Sequence, residues 1–198
     1  MECGFEVIAL CDLDERAIDG LLADTGLESL PVSRFTDYKE MVERCALDVV
    51  AVATDSGSHS EIALYCLSRG ISVLVEKPMA LSIEDADAMI ATAAEQGVFL
   101  GVCQQNRLND STLLVKEALD RGAFGTLSHV SVQVRWWLDK SYYEQAPWRG
   151  TWEQDGGALM NQCIHGFDLM RLFGGEEITE VRGHIANRTH PYLEVEDV

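Results

Sequence analysis

The sequence predicts an α/β protein: a doubly wound parallel sheet that lacks its first strand, followed by an incomplete α+β domain with an open antiparallel or mixed sheet. Three observations carry the wound sheet and the second domain, while the missing first strand rests on the absence of any G-x-G-x-x-G spacing. Short β-branched runs alternate with helical patterns through the first half, as strands joined by helical crossovers do. Near Gly125 that pattern gives way to a long period-two stretch, "TLSHVSVQVRWW", the mark of a strand with one buried face. At 198 residues and 47% hydrophobic, the chain has material for one generous core or one and a half domains.

In chain order, "FEVIALCD" (5–12) reads as a strand, followed by a helix from Asp14 towards Asp24. "DVVAVAT" (48–54) is the next strand. Its helix opens on a capping box of Ser58 and Glu61, carries Ile62, Tyr65 and Cys66 on one face, and stops at Gly70. "ISVLV" (71–75) is a third strand. Its helix opens on Ser82 and Asp85, is expected to bury Ala86, Met89, Ile90 and Ala93, and stops at Gly97. "VFLGVCQQ" is a fourth strand, and a helix from Asp110 runs to Gly122. Repeated strand-then-helix units imply right-handed crossovers. The domain boundary is expected at 107/108, giving domains of 1–107 and 108–198. In the second, Val130, Val132, Val134 and Trp136 alternate with His129, Ser131, Gln133 and Arg135. A polar, aromatic loop over 139–155 leads to a helix over about 158–173 and a last strand-like stretch, "ITEVRGHIA".

Composition narrows the partners. Lys plus Arg number 15 against 33 Asp plus Glu, a net charge of −18, which disfavours nucleic acid and anionic membranes. An anionic ligand therefore needs a local cationic pocket. The six cysteines (Cys3, Cys11, Cys45, Cys66, Cys103, Cys163) show no CxxC pair and no metal-ligand spacing, so they read as small core residues and no metal site is expected. There is no basic region followed by an apolar core at the N-terminus, and no apolar run approaches the ~18 residues that span a bilayer; a cytoplasmic location is the expectation.

Ligands of open parallel sheets bind beyond the carboxyl ends of the strands. Those ends carry Asp12; then Thr54, Asp55, Ser56 and His59; then Glu76, Lys77 and Pro78; then Gln104, Gln105, Asn106 and Arg107. Asp12 stands where a dinucleotide-binding sheet holds a ribose hydroxyl pair, and its charge repels a 2′-phosphate, with no cation at Cys11 or Leu13 to offset it. Lys77 beside Glu76 reads either as half of a structural ion pair or as the donor to a reacting hydroxyl. A second constellation lies in "GTWEQDGGALMNQCIHGFDLM". Asn161 and His165 are spaced i, i+4, with Asp168 three residues on, so the imidazole is either a satisfied core residue or a general base. Arg107, Arg135, Lys140 and Arg149 offer cations, and Tyr142, Tyr143 and Trp148 offer stacking faces.

"VEKPMA", "ATDSGSH" and "GGALMNQCIHGFDLM" together resemble the Gfo/Idh/MocA family of glucose-fructose oxidoreductases, inositol dehydrogenases and rhizopine-catabolism proteins. The resemblance implies an N-terminal NAD(P)-binding Rossmann domain, with NAD favoured over NADP, and an α+β domain whose open sheet supports a homo-oligomer, dimer or tetramer. It implies that Lys77 and His165 are catalytic and that Asn161 positions substrate, where many members have an aspartate. Cofactor contacts then fall on Asp12, Thr54, Asp55, Ser56, His59, Glu76, Lys77, Gln105, Trp148 and Arg149. Substrate contacts fall on Lys77, Asn106, Arg107, Tyr143, Arg149, Asn161, Gln162, His165 and Asp168. Within the family, "NRLN", "SYYEQAPWRGTWEQDGGALMNQ" and "EVEDV" look most like dehydrogenases that oxidise C3 of a UDP-N-acetylglucosaminuronate. A cyclitol or free-sugar dehydrogenase is the alternative within the class, and a non-catalytic sugar-nucleotide sensor the alternative outside it. No G-x-G-x-x-G spacing occurs in the chain, which reads as an internal piece of a longer enzyme beginning at the second strand.

Overall fold

Five short strands form in the computed structural model, which describes residues 4–175 and 177–198; Cys3 lies outside the described residues. β1 (Ala9–Cys11) pairs in parallel with β2 (Ser33–Phe35). β3 (Val49–Val52), β4 (Ser72–Val75) and β5 (Leu100–Val102) form a separate parallel sheet in the order β3-β4-β5. The register aligns Val52 with Val75 and Val75 with Val102, so the carboxyl ends of all three strands stand level. β2 and the helix after it, α2 (Tyr38–Arg44), are absent from the sequence expectation. Three residues are too few to show alternation, and α2 announces itself only by Asp37, which caps it by accepting from the Lys39 N–H at 2.8 Å.

The other helices of the first half are α1 (Glu15–Thr25), α3 (His59–Leu67) and α4 (Ile83–Gln96). α3 and α4 pack on each other and bury Ala63, Cys66, Leu67 and Met89 against Val73 and Val75. Alternate strand residues point away from this core, and Leu74 is 40% exposed. Ile90, expected in the core, is 56% exposed: it sits a residue off the buried Met89–Ala93 stripe of α4. Ser82 does cap α4, accepting from Asp85 N–H at 3.0 Å. Ser58 does not cap α3. Asp55 takes that role one turn earlier, accepting from Ser58 N–H (3.2 Å) and Ser58 Oγ (2.9 Å) at a 3₁₀ turn (Ser56–Ser58), and Glu61 instead accepts from the Tyr38 hydroxyl at 2.7 Å.

The second half departs furthest from expectation. Residues 127–137 and 178–186 form neither a helix nor a hydrogen-bonded ladder among the described residues, so the expected antiparallel or mixed sheet is not made. An extended segment becomes a strand only where a partner satisfies its backbone. Part of the alternation survives as side-chain packing. A β-carbon placed on Gly166, in α7 (Ile164–Gly174), would lie 3.0 Å from Val132 and 3.4 Å from Val134. Two further helices, α5 (Asp110–Asp120) and α6 (Lys140–Tyr143), precede it. The chain end folds back through Asp197. Burial pushes its carboxyl up, but hydrogen bonds from the Thr189 hydroxyl, the Arg188 and Thr189 N–H groups and His190 outweigh that and hold it well below the usual carboxylate range.

Among the described residues, no helix is long and apolar enough to cross a membrane, and no group of three or more His, Cys, Asp or Glu is placed to hold a metal ion. Because Leu67 is wholly enclosed in the α3–α4–sheet core, Leu67→Ala is expected to cost about 2–5 kcal/mol. Leu114→Ala, on an exposed face of α5, is expected to stay within about 0.5 kcal/mol. Denaturant midpoints with unchanged slopes measure both, and equal losses would mean that the core lies elsewhere.

Candidate active site

The site grows from the level carboxyl ends of β3, β4 and β5. The last ladder bond of β4 runs from Glu76 N–H to Val52 O at 2.8 Å, and beyond it the apolar run gives way to Glu76, Lys77 and Pro78. His59, at the start of α3 and fully buried, ties two of these ends together. Its Nδ1 lies 2.8 Å from Pro78 O and its Nε2 3.2 Å from Thr54 O. Each ring nitrogen therefore faces a backbone carbonyl, to which whichever carries the proton donates, and Asp55, Ser58 and Thr54 Oγ1 are engaged with one another beside it. Of the strand-end residues read as cofactor contacts, His59 and Asp55 hold the scaffold. Ser56 is buried in the same turn.

Lys77 reaches across to the second half. Its Nζ donates to Asn161 O at 2.7 Å and to Asn161 Oδ1 at 3.2 Å. It is half-buried, and desolvation pulls its pKa below the usual lysine value, against the opposing charges of Glu76 and Asp155. Asn161 lies in a π turn (Leu159–Cys163) that leads into α7, so the spacing to His165 is not the α-helical i, i+4 of the sequence expectation. His165, 9% exposed, has no partner on Nδ1. Burial lowers its pKa first, the Lys77 charge lowers it further, and Glu76 and Asp168 oppose both. These effects favour the neutral imidazole, and the ammonium whose charge acts on it uses two of its three N–H donors on Asn161.

The residues around this pair are placed by glycines and by the chain end. Gly57 N–H donates to Gln154 O at 3.2 Å, and a β-carbon on Gly57 would lie 2.5 Å from Glu153 O, so the 3₁₀ turn of the first half meets the 151–156 loop backbone to backbone. Gly156 and Gly157 have φ of 79° and 89°, a region that favours glycine. Glu196, from "EVEDV", accepts from Leu159 N–H at 2.9 Å and so caps the π turn. Asp155 was not among the residues the sequence singled out. It is buried, accepting from Gly150 N–H at 2.8 Å and from Asn161 Nδ2. Its signal, an acid directly before paired glycines, is legible only once the loop is seen to fold inward.

The remaining residues fall into two groups. Gln162 is at the centre, donating to Tyr142 OH (3.2 Å) and Asn161 Oδ1 (3.3 Å). Arg149 stacks on Tyr142 at 4.1 Å and Trp148 at 4.7 Å, and its Nε is buried without a partner. Tyr143 packs against Tyr142, His190 and Tyr192, and burial pushes its hydroxyl up to about 12. Arg107 and Asp168, both read as substrate contacts, instead grip each other through two hydrogen bonds, Nε to Oδ2 at 2.8 Å and Nη2 to Oδ1 at 2.5 Å. That pair fastens the 3₁₀ turn after β5 (Gln105–Leu108) to α7. Asn106, in the same turn, accepts from Asn109, and Gln105 is exposed. A groove of about 700 Å³ opens beside them, lined by Met79, Cys103, Gln104, Arg107 and Ile164 among others. Asp12 sits on the other sheet, exposed, with one oxygen accepting from Asp14 N–H at 2.9 Å. Arg135 and Lys140 are engaged with Gln133 and Glu144 and do not join the site.

Residues 2–104 match the model of an oxidoreductase family with an NAD-binding Rossmann fold, and residues 112–198 match the GFO/IDH/MocA C-terminal domain. Among solved structures, the WlbA dehydrogenase from Bordetella pertussis in complex with NADH and UDP-GlcNAcA is 38% identical, with a TM-score of 0.78 over 85% of this chain and 47% of that one. The WlbA dehydrogenase from Chromobacterium violaceum, also in complex with NADH and UDP-GlcNAcA, is 35% identical, with a TM-score of 0.83 over 97% of this chain and 54% of that one. A scyllo-inositol 2-dehydrogenase (NAD(+)) of Bacillus subtilis is 27% identical over 158 residues, 80% of this chain and 44% of that protein. The chain thus spans about half the length of the relatives it matches.

Since His59 holds two strand-end carbonyls in a dry environment, His59→Leu is expected to leave at least one of them unpaired and to cost about 1–3 kcal/mol. A thermal melt of the variant measures this. An unchanged melting temperature would show that the imidazole is not what joins these ends.

Proposed function

The chain belongs to the GFO/IDH/MocA oxidoreductase family, and from that premise we propose that the protein oxidises a sugar hydroxyl to a ketone, C3 of a UDP-N-acetylglucosaminuronic acid, with NAD as hydride acceptor. The observation that carries the reading is a Lys77 ammonium held on Asn161 whose charge acts on His165, an imidazole with no partner on Nδ1. The similarity to two enzymes crystallised with NADH and UDP-GlcNAcA supports the choice of substrate. The cyclitol alternative rests on inositol dehydrogenase relatives of lower identity, 27%. Turnover of inositol in place of the nucleotide sugar would favour it.

The site fits a nicotinamide nucleotide on its own chemistry. Gln104 Oε1, just past the end of β5, and His165 Nδ1, in α7, are buried without partners, as polar atoms awaiting a ligand are. Asp12 would hold the adenosine ribose, and the Thr54–Ser56 turn, Glu76, Lys77, Gln105, Trp148 and Arg149 would line the path to the reacting end. When bound, NAD supplies the hydride acceptor. His165 takes the hydroxyl proton on its free ring nitrogen, and the remaining Lys77 N–H donates to the same oxygen as negative charge develops there. Arg149, with its unpartnered Nε, and the Tyr142, Tyr143 and Trp148 rings are the candidates to receive the nucleotide sugar. The domain division falls at 107/108. The open face of the second half, with Trp136, Ile178 and Val181 exposed, suits association with a second copy.

Lys77→Ala and His165→Ala are each expected to lower kcat by on the order of 10²–10⁴-fold with the fold retained, and the double variant to lose far less than the product. Steady-state kinetics beside melting curves test this. Near-normal turnover in His165→Ala would remove it as the base. Because the His165 pKa is lowered, the acid limb of kcat/KM is expected below the ordinary histidine range, with activity rising as pH climbs through it and the ring loses its proton.

Cofactor choice follows from Asp12. Arg16 is bound to Asp14 at 2.7 Å and Arg34 to Asp19, and among the described residues no cation is paired with Asp12 to receive a 2′-phosphate. NAD is expected to be preferred, and Asp12→Ala to narrow the ratio of kcat/KM for NAD over NADP. Equal use of both by the unaltered protein would take Asp12 out of this role.

A further inference from the structure

Asn161 poses a problem that the proposed reaction does not solve. An asparagine amide has an oxygen end and an NH₂ end of nearly equal shape, and only the oxygen end suits a neighbouring ammonium. Turned the other way, it would set donors against the donors of Lys77. What fixes the amide is next to it. Asp155, 3% exposed, accepts from Asn161 Nδ2 with one oxygen and from Gly150 N–H, at 2.8 Å, with the other. An ionised carboxylate is acceptor-only, so it binds the NH₂ end and turns Oδ1 towards Lys77. It cannot swing away without releasing a buried backbone donor. Gly150 is itself held, with φ of 75° and its free face against the Leu193 side chain. Gln162 Nε2, donating to Asn161 Oδ1 at 3.3 Å, favours the same orientation.

We propose that Asp155 is a positioning residue: acting through the Asn161 amide, it presents an oxygen to the Lys77 ammonium and leaves the third N–H of Lys77 aimed at the reacting hydroxyl. This rests on the catalytic reading of Lys77 given above. A relay of this kind does through two side chains what an aspartate at position 161 does through one. The charges that face Lys77 are Glu76 and Asp155, which favour its ammonium form, and Arg149, which opposes it; His165 adds no charge while neutral. Asp155 thus supplies, one residue removed, the negative charge that Asn161 lacks.

The test needs no turnover. Lysine labelled with ¹³C at Cε reports each ammonium separately. The chain has four lysines, Lys39, Lys77, Lys116 and Lys140, and the Lys77 resonance is the one lost in Lys77→Arg. In Asp155→Asn, which keeps an oxygen for Gly150 N–H, the Lys77 titration midpoint is expected to move down. In Asp155→Asn combined with Asn161→Asp, where the carboxylate touches Lys77 directly, it is expected to return to the native position or above. In kinetics, the single variant is expected to lose on the order of 10²-fold in kcat with little change in KM, and the swap to recover most of it. A Lys77 midpoint unmoved in a single variant that melts like the native protein would overturn the proposal. So would a swap whose midpoint lies below the native one, and that measurement decides even if the single variant does not fold. Loss of turnover in Lys77→Ala alongside an unmoved midpoint would sink only the role of Asp155. Full turnover in Lys77→Ala would sink the catalytic reading and leave the NMR result standing by itself.

Discussion

The contact from Lys77 to Asn161 is the constraint on which the rest of the site depends. It joins residues 84 apart in sequence, one at the end of a parallel strand and one in a π turn of the second half, and neither backbone by itself would bring them together. Everything nearby serves that meeting. His59 fixes the strand end, Glu196 caps the π turn, Asp155 orients the amide, and the Arg107–Asp168 pair fastens the turn after β5 to α7. Burial has two opposed effects here. It weakens the hold of Lys77 on its proton and at the same time strengthens each hydrogen bond that keeps the ammonium in place. The same burial favours the neutral form of His165, so one environment lowers the proton affinity of both groups.

Much of the first half was legible because its signals are local. The β-branched runs and the Ser82 cap, read from a few residues at a time, correspond to strands β3 to β5 and to helix α4. The misreadings have physical causes. Ser58 has the spacing of a capping box, but its hydroxyl is spent on Asp55 and Thr54 and its own backbone is already helical, so the cap is Asp55, ahead of the preceding turn. The alternation of 130–136 does not become alternate burial, since Val132, Val134 and Trp136 are exposed; a strand also needs a partner edge, which no single segment encodes. Gly166 records where that segment actually rests.

The site was legible in its chemistry and not in its wiring. Lys77, Asn161 and His165 announce themselves by residue type at strand ends and helix faces, and the structure brings them together. Which side chains are already spent could not be read. Arg107 and Asp168 hold each other, and His59 faces the carbonyls of two separate segments, contacts between distant parts of the chain that the sequence does not show. Asp155 was passed over for the converse reason. One acid among 33 carries no mark until the fold turns it inward.

The close approach at Gly57 has a geometrical consequence for the protein as a machine. The first half and the 151–156 loop touch there through main chain alone, with Glu153 O occupying the space a side chain would need. The gap that Lys77 bridges is therefore gauged by a stop that has no adjustable side chain. Substitutions among the site residues can retune charge and fit without altering that spacing. A single methyl at position 57 would act as a shim, levering the loop that carries Asp155 away from the strand ends while leaving every catalytic side chain chemically intact.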